Sequence, residues 1–237
     1  MRASGPALFP ISLSNQDFST DVVLPLLADL FAHHSKITFL VADHLQIYNK
    51  ALRLSEGVTL GDIIADFANS RRYLDQRRRW ISRTIQNLGL AVEDDRWRVL
   101  GVDDVADADG FRIYRNVMLA YYGVPSFRRD VDSAALAHAV ARQEIYPLNQ
   151  RRALSKGYLL EEIAVSVRLH VIEGIHDEYY IGAQAPVVLG VYDGRYGFDA
   201  ATLAERPEKA GLDRFYALDD GADGAVWSLV NASRTAP

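Results

Sequence analysis

Short apolar runs alternate along this chain with longer segments in which apolar residues recur every three or four positions. The short runs predict β-strands, namely Ala7–Ile11, Ile37–Ala42, Trp97–Val102, Val187–Tyr192 and Ala225–Val230. The longer segments predict helices, namely Thr20–His34, Val58–Leu88, Phe111–Tyr122, Val131–Tyr146 and Leu148–Val171. This alternation predicts a doubly wound α/β fold, with a mostly parallel sheet and helices on both faces. Because no linker or repeat interrupts it, we expect residues 1–237 to form a single domain.

The composition narrows the classes of protein to which the chain can belong. Hydrophobic residues make up 49% of its 237 positions, which is enough to bury a substantial core. The absence of cysteine excludes disulfides, thiolate metal sites and a cysteine nucleophile. A net charge of −5 and a pI of about 5.7 argue against a general nucleic-acid binder, so we expect no DNA partner. The sequence has neither a leader-like pattern nor an apolar run long enough to span a bilayer, and we expect a cytoplasmic protein that contacts no membrane.

A polar segment rich in hydroxyl groups separates the first predicted strand from the first predicted helix. Ser12, Ser14 and Asn15 lie in this segment, just after Ile11. A hydroxyl at such a turn can act as a nucleophile, and the backbone N–H groups that open the helix can stabilise a carbonyl oxygen as it gains negative charge. The same residue types also cap helices without any catalytic role. The pattern leaves both interpretations open.

Tyr158 and Glu162 lie four positions apart in the last long predicted helix. Residues with this spacing share a helix face, so the phenol and the carboxylate would point to the same place. Together they suit an α-ammonium group, and the carboxylate could later accept a proton from the amine. Glu161 lies on a different face. A surface glutamate beside a half-buried tyrosine gives the same spacing and remains the alternative.

Arginine is concentrated between residues 71 and 83 of an otherwise acidic chain. On a helix, Arg72, Arg79 and Arg83 would form one stripe, while apolar residues such as Leu74 and Ile81 would supply a side that packs on a core. Guanidinium groups bind phosphates with paired hydrogen bonds and stack on bases, which favours an RNA-binding surface. A solvated helix face that pairs with acidic loops is the alternative.

Taken together, these patterns resemble the tRNA-dependent cyclodipeptide synthases. The segment Ile11-Ser-Leu-Ser-Asn-Gln-Asp-Phe-Ser19 matches the serine motif of that family, with Ser12 on its nucleophile and Asn15 on its asparagine. Ile37–Asp43 is similar to the family's second strand, which ends in an aspartate. Tyr158-Leu-Leu-Glu-Glu162 matches the family's Tyr-x-x-x-Glu pair.

Two positions depart from the family pattern, and the chain resembles a divergent member. Pro10 stands where the family has a glycine, and Ala164 stands where it has a proline. The resemblance implies a Rossmann-like domain similar to the catalytic domain of class I aminoacyl-tRNA synthetases. The His-x-x-His signature of the ATP-using synthetases is absent, as are glycine-rich nucleotide-binding motifs. This absence fits an enzyme that receives an already activated aminoacyl ester and needs no cofactor.

The resemblance also implies roles for the matched residues. Ser12 would carry the aminoacyl group, and Asn15 would help to orient it. Tyr158 and Glu162 would hold the ammonium group. The tRNA acceptor arm would be bound by four arginines of the basic helix, Arg72, Arg78, Arg79 and Arg83.

The family has a second catalytic tyrosine, which relays a proton. The resemblance assigns it to Tyr192, at the end of the predicted strand Val187–Tyr192, and Tyr179 and Tyr180 are alternatives. We expect no metal site, because the only adjacent cluster, His176-Asp177-Glu178, lacks the i, i+4 histidine spacing of zinc-binding helices.

The activity implied by the resemblance is an aminoacyl transfer from tRNA that forms a cyclic dipeptide, a diketopiperazine, through an aminoacyl group linked to Ser12. The partner is aminoacyl-tRNA, and we expect a monomer. Two alternatives from other classes remain open. One is a transferase that delivers a single aminoacyl group from tRNA to a small amine or hydroxyl acceptor, and the other is a non-catalytic tRNA-binding module.

Overall fold

A parallel sheet organises one half of the molecule. The computed structural model describes residues 5–11, 20–42, 48, 65, 70–90, 95–141, 147–179, 181 and 185–206. The strands among them are β1 (Ala7–Ile11), β2 (Ile37–Val41), β3 (Trp97–Gly101) and β4 (Asp177–Glu178). All pairings are parallel, and the order across the sheet is β3-β2-β1-β4.

Helices form the rest of the described structure. They are α1 (Thr20–His33), α2 (Ser70–Asn87), α3 (Ala108–Gly123), α4 (Pro125–Ala141), α5 (Leu148–Ile172), α6 (Pro186–Tyr192) and α7 (Ala200–Ala204), with a 3₁₀ turn at Asp103–Val105. None of the helices in the described ranges is long and apolar enough to cross a membrane. The α/β class predicted from the sequence is confirmed.

Alternation of side chains along the strands places helices on both sheet faces. Ala7, Phe9 and Ile11 point to one face, where they form a core with α1 and α2. Leu8 points to the other face and packs with Leu169 of α5 and with residues around the 3₁₀ turn. The sheet is thus covered on both sides, as expected for a doubly wound fold.

A second hydrophobic core joins the helices that follow the third strand. Its fully buried members include Ile113 of α3, Phe127 of α4, Ile163 of α5 and Leu203 of α7. Because α5 contributes side chains to this core and also packs on the sheet, it connects the two halves.

The predicted strand Val187–Tyr192 is wrong, because these residues form helix α6. Pro186 occupies the first turn, where its fixed φ suits a helix and its missing N–H costs nothing. Val187, Val188 and Val191 are buried, whereas Leu189 is exposed, which is a helical and not an alternating pattern. A short apolar run carries no periodicity that separates the two possibilities.

The other predicted elements agree in type where the structure describes them. Helix α4 begins at Pro125, six residues before the predicted start. The predicted strand Ala225–Val230 lies outside the described residues, as do all but one of residues 58–69, the first part of the predicted helix that contains α2.

Candidate active site

One face of α5 carries a row of polar side chains at intervals of four residues. Tyr158, Glu162, Ser166 and His170 follow one another along the helix, and residues so spaced lie one above the other. Ser166 is buried, and the other three are half-buried. The face predicted from Tyr158 and Glu162 therefore continues for two further turns.

Glu162 has an unusual electrostatic environment. The side chain keeps some contact with solvent, yet burial raises the pKa of its carboxyl to about 7, and the nearby Glu178 carboxylate adds to this increase. Near neutral pH the group exchanges its proton readily, which suits a general base.

A chain of hydroxyl groups joins α5, α6 and β4 beside Glu162. The Ser166 hydroxyl donates a hydrogen bond to Glu178 Oε2 at 3.2 Å, and it also contacts the Tyr192 hydroxyl. Because the single Ser166 proton is directed to Glu178, the phenol of Tyr192 is the donor in the second contact. Burial is the main cause that raises the pKa of Tyr192, and the charges of Glu178 and Glu162 raise it further, while the Ser166 contact opposes them. Tyr192 therefore stays a neutral phenol.

His170 lies beside Tyr192, and His176 lies beside His170. The His170 and Tyr192 ring centroids are 4.7 Å apart, and His170 Nε2 lies 3.3 Å from Nδ1 of the exposed His176. Burial and the neighbouring His176 lower the pKa of His170, which therefore favours its neutral form.

Tyr48 packs across the same region of α5, a contact that the sequence did not predict. Its hydroxyl donates a 2.6 Å hydrogen bond to Glu161 Oε1, and its ring meets that of Tyr158 edge to face at 6.5 Å. The approach requires Gly157, because a Cβ atom there would lie 2.7 Å from Tyr48 Cε1. Glu161 is thus not idle, since it anchors Tyr48.

Helix α4 supports Tyr158 from another direction. The His138 ring lies nearly parallel to the Tyr158 ring, with centroids 6.5 Å apart, and His138 Nδ1 is 2.8 Å from the Ser155 hydroxyl. Tyr158 therefore has aromatic neighbours from two separate parts of the chain.

The predicted nucleophile Ser12 and its neighbour Asn15 lie outside the described residues. The elements that flank them are described: β1 ends at Ile11, and α1 begins at Thr20. The predicted strand and helix on either side of the serine motif are thus confirmed, while the roles of Ser12 and Asn15 stay predictions.

Tyr179, one of the two alternatives to Tyr192, contacts the residue that follows α1 in the described structure. The Tyr179 hydroxyl lies 2.7 Å from His34 Nε2, beside the end of α1. Tyr180 lies outside the described residues. Tyr192 lies near Glu162, and it is held there by a helix and not by the predicted strand.

The basic segment forms the amphipathic helix α2. Leu74, Ile81 and other apolar side chains are buried against the sheet, while Arg72, Arg79 and Arg83 are exposed on the opposite side. Among the described residues, no carboxylate pairs with any of these three arginines.

Arg78 differs from the three exposed arginines of α2. It donates a hydrogen bond to the Val99 carbonyl at 3.2 Å and lies 3.5 Å from Asp104 Oδ2. These contacts fasten α2 to β3, so Arg78 has a structural role beside the one predicted for it.

Metal ligands are not assembled within the part of the chain that the structure describes. No group of three or more histidine and carboxylate side chains there could hold a metal ion.

Comparison with known proteins gives matches by structure and none by sequence. No family profile and no curated protein matches the sequence. A cyclo(L-leucyl-L-phenylalanyl) synthase aligns over 79% of this chain and 82% of its own, with a TM-score of 0.59 and 16% identity. AlbC, a cyclodipeptide synthase from Streptomyces noursei, aligns over 89% of this chain and 99% of its own, with a TM-score of 0.63 and 17% identity.

Another similar structure is that of a Mycobacterium tuberculosis protein, which aligns over 79% of this chain and 78% of its own. It is described as showing that cyclodipeptide synthetases are related to type I tRNA-synthetases. Its TM-score is 0.61 and its identity 14%. At such identities the likeness shows the fold alone. The chain has the fold of the cyclodipeptide synthases, and the resemblance drawn from its sequence is confirmed at that level.

Proposed function

We propose that this protein is a tRNA-dependent aminoacyltransferase that forms cyclic dipeptides. The observation that carries the proposal is the α5 face, on which Glu162 lies between Tyr158 and the Ser166–Tyr192 contact in a fold shared with cyclodipeptide synthases. A carboxylate and a phenol held on one face can anchor an α-ammonium group.

The raised pKa of Glu162 supports this assignment. An α-amino group has a pKa of about 7.7–8.0, close to the value of about 7 for Glu162. A proton can therefore pass from the ammonium group to the carboxylate at little cost in free energy. An amine must lose that proton before it can attack an ester.

The reaction then divides into three transfers. The Ser12 hydroxyl attacks the ester of a first aminoacyl-tRNA, and the tRNA leaves with its hydroxyl restored. The amine of the aminoacyl group on Ser12, deprotonated by Glu162, attacks the ester of a second aminoacyl-tRNA and leaves a dipeptidyl group on Ser12. The new terminal amine finally attacks the Ser12 ester, which closes the ring and returns the serine hydroxyl.

A mass-spectrometric assay with charged tRNA tests the proposal. The purified protein is incubated with a mixture of charged tRNAs, its intact mass is measured, and the released small molecules are identified. We expect an aminoacyl adduct that Ser12→Ala abolishes, together with a diketopiperazine. A product that joins one aminoacyl group to another acceptor would support the single-transfer alternative, and the absence of both adduct and product would refute aminoacyl transfer.

A further inference from the structure

Three hydrogen-bonding groups from three separate elements form a directional chain beside Glu162. Tyr192 of α6 donates to Ser166 of α5, and Ser166 donates to Glu178 of β4 over 3.2 Å. Each hydroxyl proton is thus directed away from Tyr192 toward a carboxylate.

The placement of Ser166 indicates that this chain is more than local helix packing. Its exposed fraction is only 5%, and a buried helical serine can satisfy its hydroxyl on the carbonyl of its own helix four residues earlier. Ser166 donates across to another element, β4, and Glu178 is held there by the parallel pairing of β4 with β1. The register sets Glu178 opposite Leu8, on the sheet face that α5 covers.

We propose that Ser166 and Glu178 are positioning residues that let Tyr192 accept a proton during ring closure. This inference rests on the proposed cyclodipeptide-forming function. Tyr192 alone is a poor base, because its burial keeps the phenol neutral. Ser166 and Glu178 provide a path by which the phenol proton of Tyr192 can leave as its oxygen accepts another.

The proton transfers balance without an outside reagent. As the terminal amine of the dipeptidyl group attacks the Ser12 ester, its N–H proton passes to the Tyr192 oxygen. The Tyr192 proton moves to Ser166 Oγ, and the Ser166 proton moves to the Glu178 carboxylate. When the Ser12 oxygen leaves the carbonyl carbon, it takes a proton back along the same groups, which restores Glu178 and the serine hydroxyl.

Among the described residues, the titratable groups around Tyr192 lie on α5, on β4 and in the segment that joins them. They are Glu162 and His170 from α5, Glu178 from β4 and, beyond His170, the exposed His176. His170 contacts the Tyr192 ring, whereas Ser166 contacts its hydroxyl, so Ser166 is the group through which a proton leaves.

Paired substitutions separate proton transfer from packing. Ser166→Ala breaks the chain and Ser166→Thr keeps the hydroxyl, while Glu178→Gln keeps a hydrogen-bond acceptor that takes no proton. Asp177→Asn is the matched control, because Asp177 precedes Glu178 in β4 but its carboxylate lies 3.7 Å from His34 Nδ1.

Each variant is incubated with charged tRNA, and three quantities are measured. Product release and the intact mass of the protein are recorded over time, and the rate is measured in mixtures of light and heavy water. We expect Ser166→Ala and Glu178→Gln to slow product release about 10- to 100-fold while the dipeptidyl adduct accumulates. Ser166→Thr should restore most of the rate, and Asp177→Asn should leave it unchanged. The way the rate depends on the fraction of heavy water should indicate that several protons are transferred in the unmodified protein and fewer in Ser166→Ala.

The outcomes distinguish this inference from the proposed function. If the unmodified protein forms the product and Ser166→Ala and Glu178→Gln do so equally fast, the relay is overturned while the function stands. Failure of Ser166→Thr to recover activity, or an equal loss in Asp177→Asn, would also overturn the relay in favour of packing. If the unmodified protein forms neither adduct nor product, the function and the relay fail together.

Discussion

At the scale of single residues, Glu162 shows how a site can hold a group in a form that weakens the fold. Its carboxyl has a pKa of about 7 in the folded protein, against an ordinary value of 4.5. The folded state therefore carries an ionisation penalty at pH 8, which disappears as the pH falls from about 7 to about 4.5.

Replacing Glu162 by Gln should stabilise the protein at pH 8 and change its stability little at pH 4.5. The shift corresponds to at most about 3 kcal/mol in the free energy of unfolding. Urea denaturation at the two pH values measures it. The same variant should form product roughly 10- to 100-fold more slowly, because an uncharged amide neither holds an ammonium group as well nor takes its proton.

Glu161→Gln is the control for this substitution. It makes the same change in the residue that precedes Glu162, and the amide oxygen can still accept the Tyr48 hydrogen bond. We expect little change in stability or activity. Equal effects in both variants would reduce the Tyr158–Glu162 spacing to a chance pattern on a helix.

Gly157 offers a second test at the residue scale. In the middle of a helix, alanine is ordinarily more stabilising than glycine by about 0.5–1 kcal/mol. Here the new Cβ atom would lie 2.7 Å from Tyr48 Cε1 and push Tyr48 away from Tyr158. Gly157→Ala should therefore reduce activity roughly 10- to 100-fold without lowering the thermal unfolding temperature.

A double-mutant cycle identifies the cause of that loss. Once Tyr48→Ala has removed the ring, Gly157→Ala should have no further effect on product formation. A second loss of the same size in the Tyr48→Ala background would mean that Gly157 acts on something other than Tyr48.

At the scale of elements, the sequence predicts the type of the long periodic segments, but it does not predict the type of the short segment Val187–Tyr192. Helix α5 presents several turns of repeating pattern, which fixes both its type and the common face of Tyr158 and Glu162. Helix α6 has seven residues, and its valines fit a buried strand equally well until Pro186 is recognised as a helix start.

Contacts between distant parts of the chain could not be predicted from the sequence. Nothing in the spacing of Ser166 and Glu178 indicates their hydrogen bond, because β4 is only two residues long and its position depends on pairing with β1. Tyr48 and Glu161 are 113 positions apart and meet only after α5 is packed. Such pairs follow from tertiary structure, which local pattern does not encode.

The exposed arginines of α2 give a prediction for a whole element. If Arg79 and Arg83 contact tRNA phosphates, the logarithm of the binding constant should fall with the logarithm of salt concentration by about 0.7–0.9 per contact. Changing both residues to Glu should weaken binding and flatten the slope by roughly two contacts. Filter binding at several salt concentrations measures this.

A charge-matched control uses another helix. Arg128 and Arg129 are exposed on α4, and changing both to Glu alters the net charge of the protein by the same amount. We expect a smaller loss of affinity from this pair. If the α2 and α4 variants lose affinity equally, net charge and not the α2 surface determines tRNA binding.

At the scale of the whole molecule, an ionic network fastens α5 between the sheet and the helical core. Arg168 of α5 lies 2.5 Å from Asp107, the N-cap residue of α3, and pairs with Glu173 just after α5 ends. Glu173 also pairs with Arg98 of β3, whose side chain donates to Thr38 of β2. The polar row lies on α5 and contacts β4 through Ser166. Its position therefore depends on the ionic network that holds α5 in place.

Glu173→Gln should therefore lower the free energy of unfolding of the whole molecule, and not only loosen one end of α5. It leaves Arg98 and Arg168 close together without their shared anion, and the pKa of Arg98 is already lowered by burial and by Arg168. Loss of one partner from a buried ion pair costs about 3–5 kcal/mol, and since Arg98 is partly exposed we expect about 2–3 kcal/mol. Asp109→Asn, which breaks a more exposed pair with Arg112, should cost at most about 1 kcal/mol.

Urea unfolding followed by two probes tests whether α5 makes the molecule cooperative. Two of the three tryptophans, Trp80 and Trp97, pack against the sheet core, so their fluorescence reports on it, and far-ultraviolet circular dichroism reports mainly on the helices. Since α5 belongs to the helical core and also packs on the sheet, the two transitions should shift together in Glu173→Gln. A shift confined to the dichroism signal would show that the helical core unfolds on its own, and that the α5 row can lose its place beside β4 while the sheet remains folded.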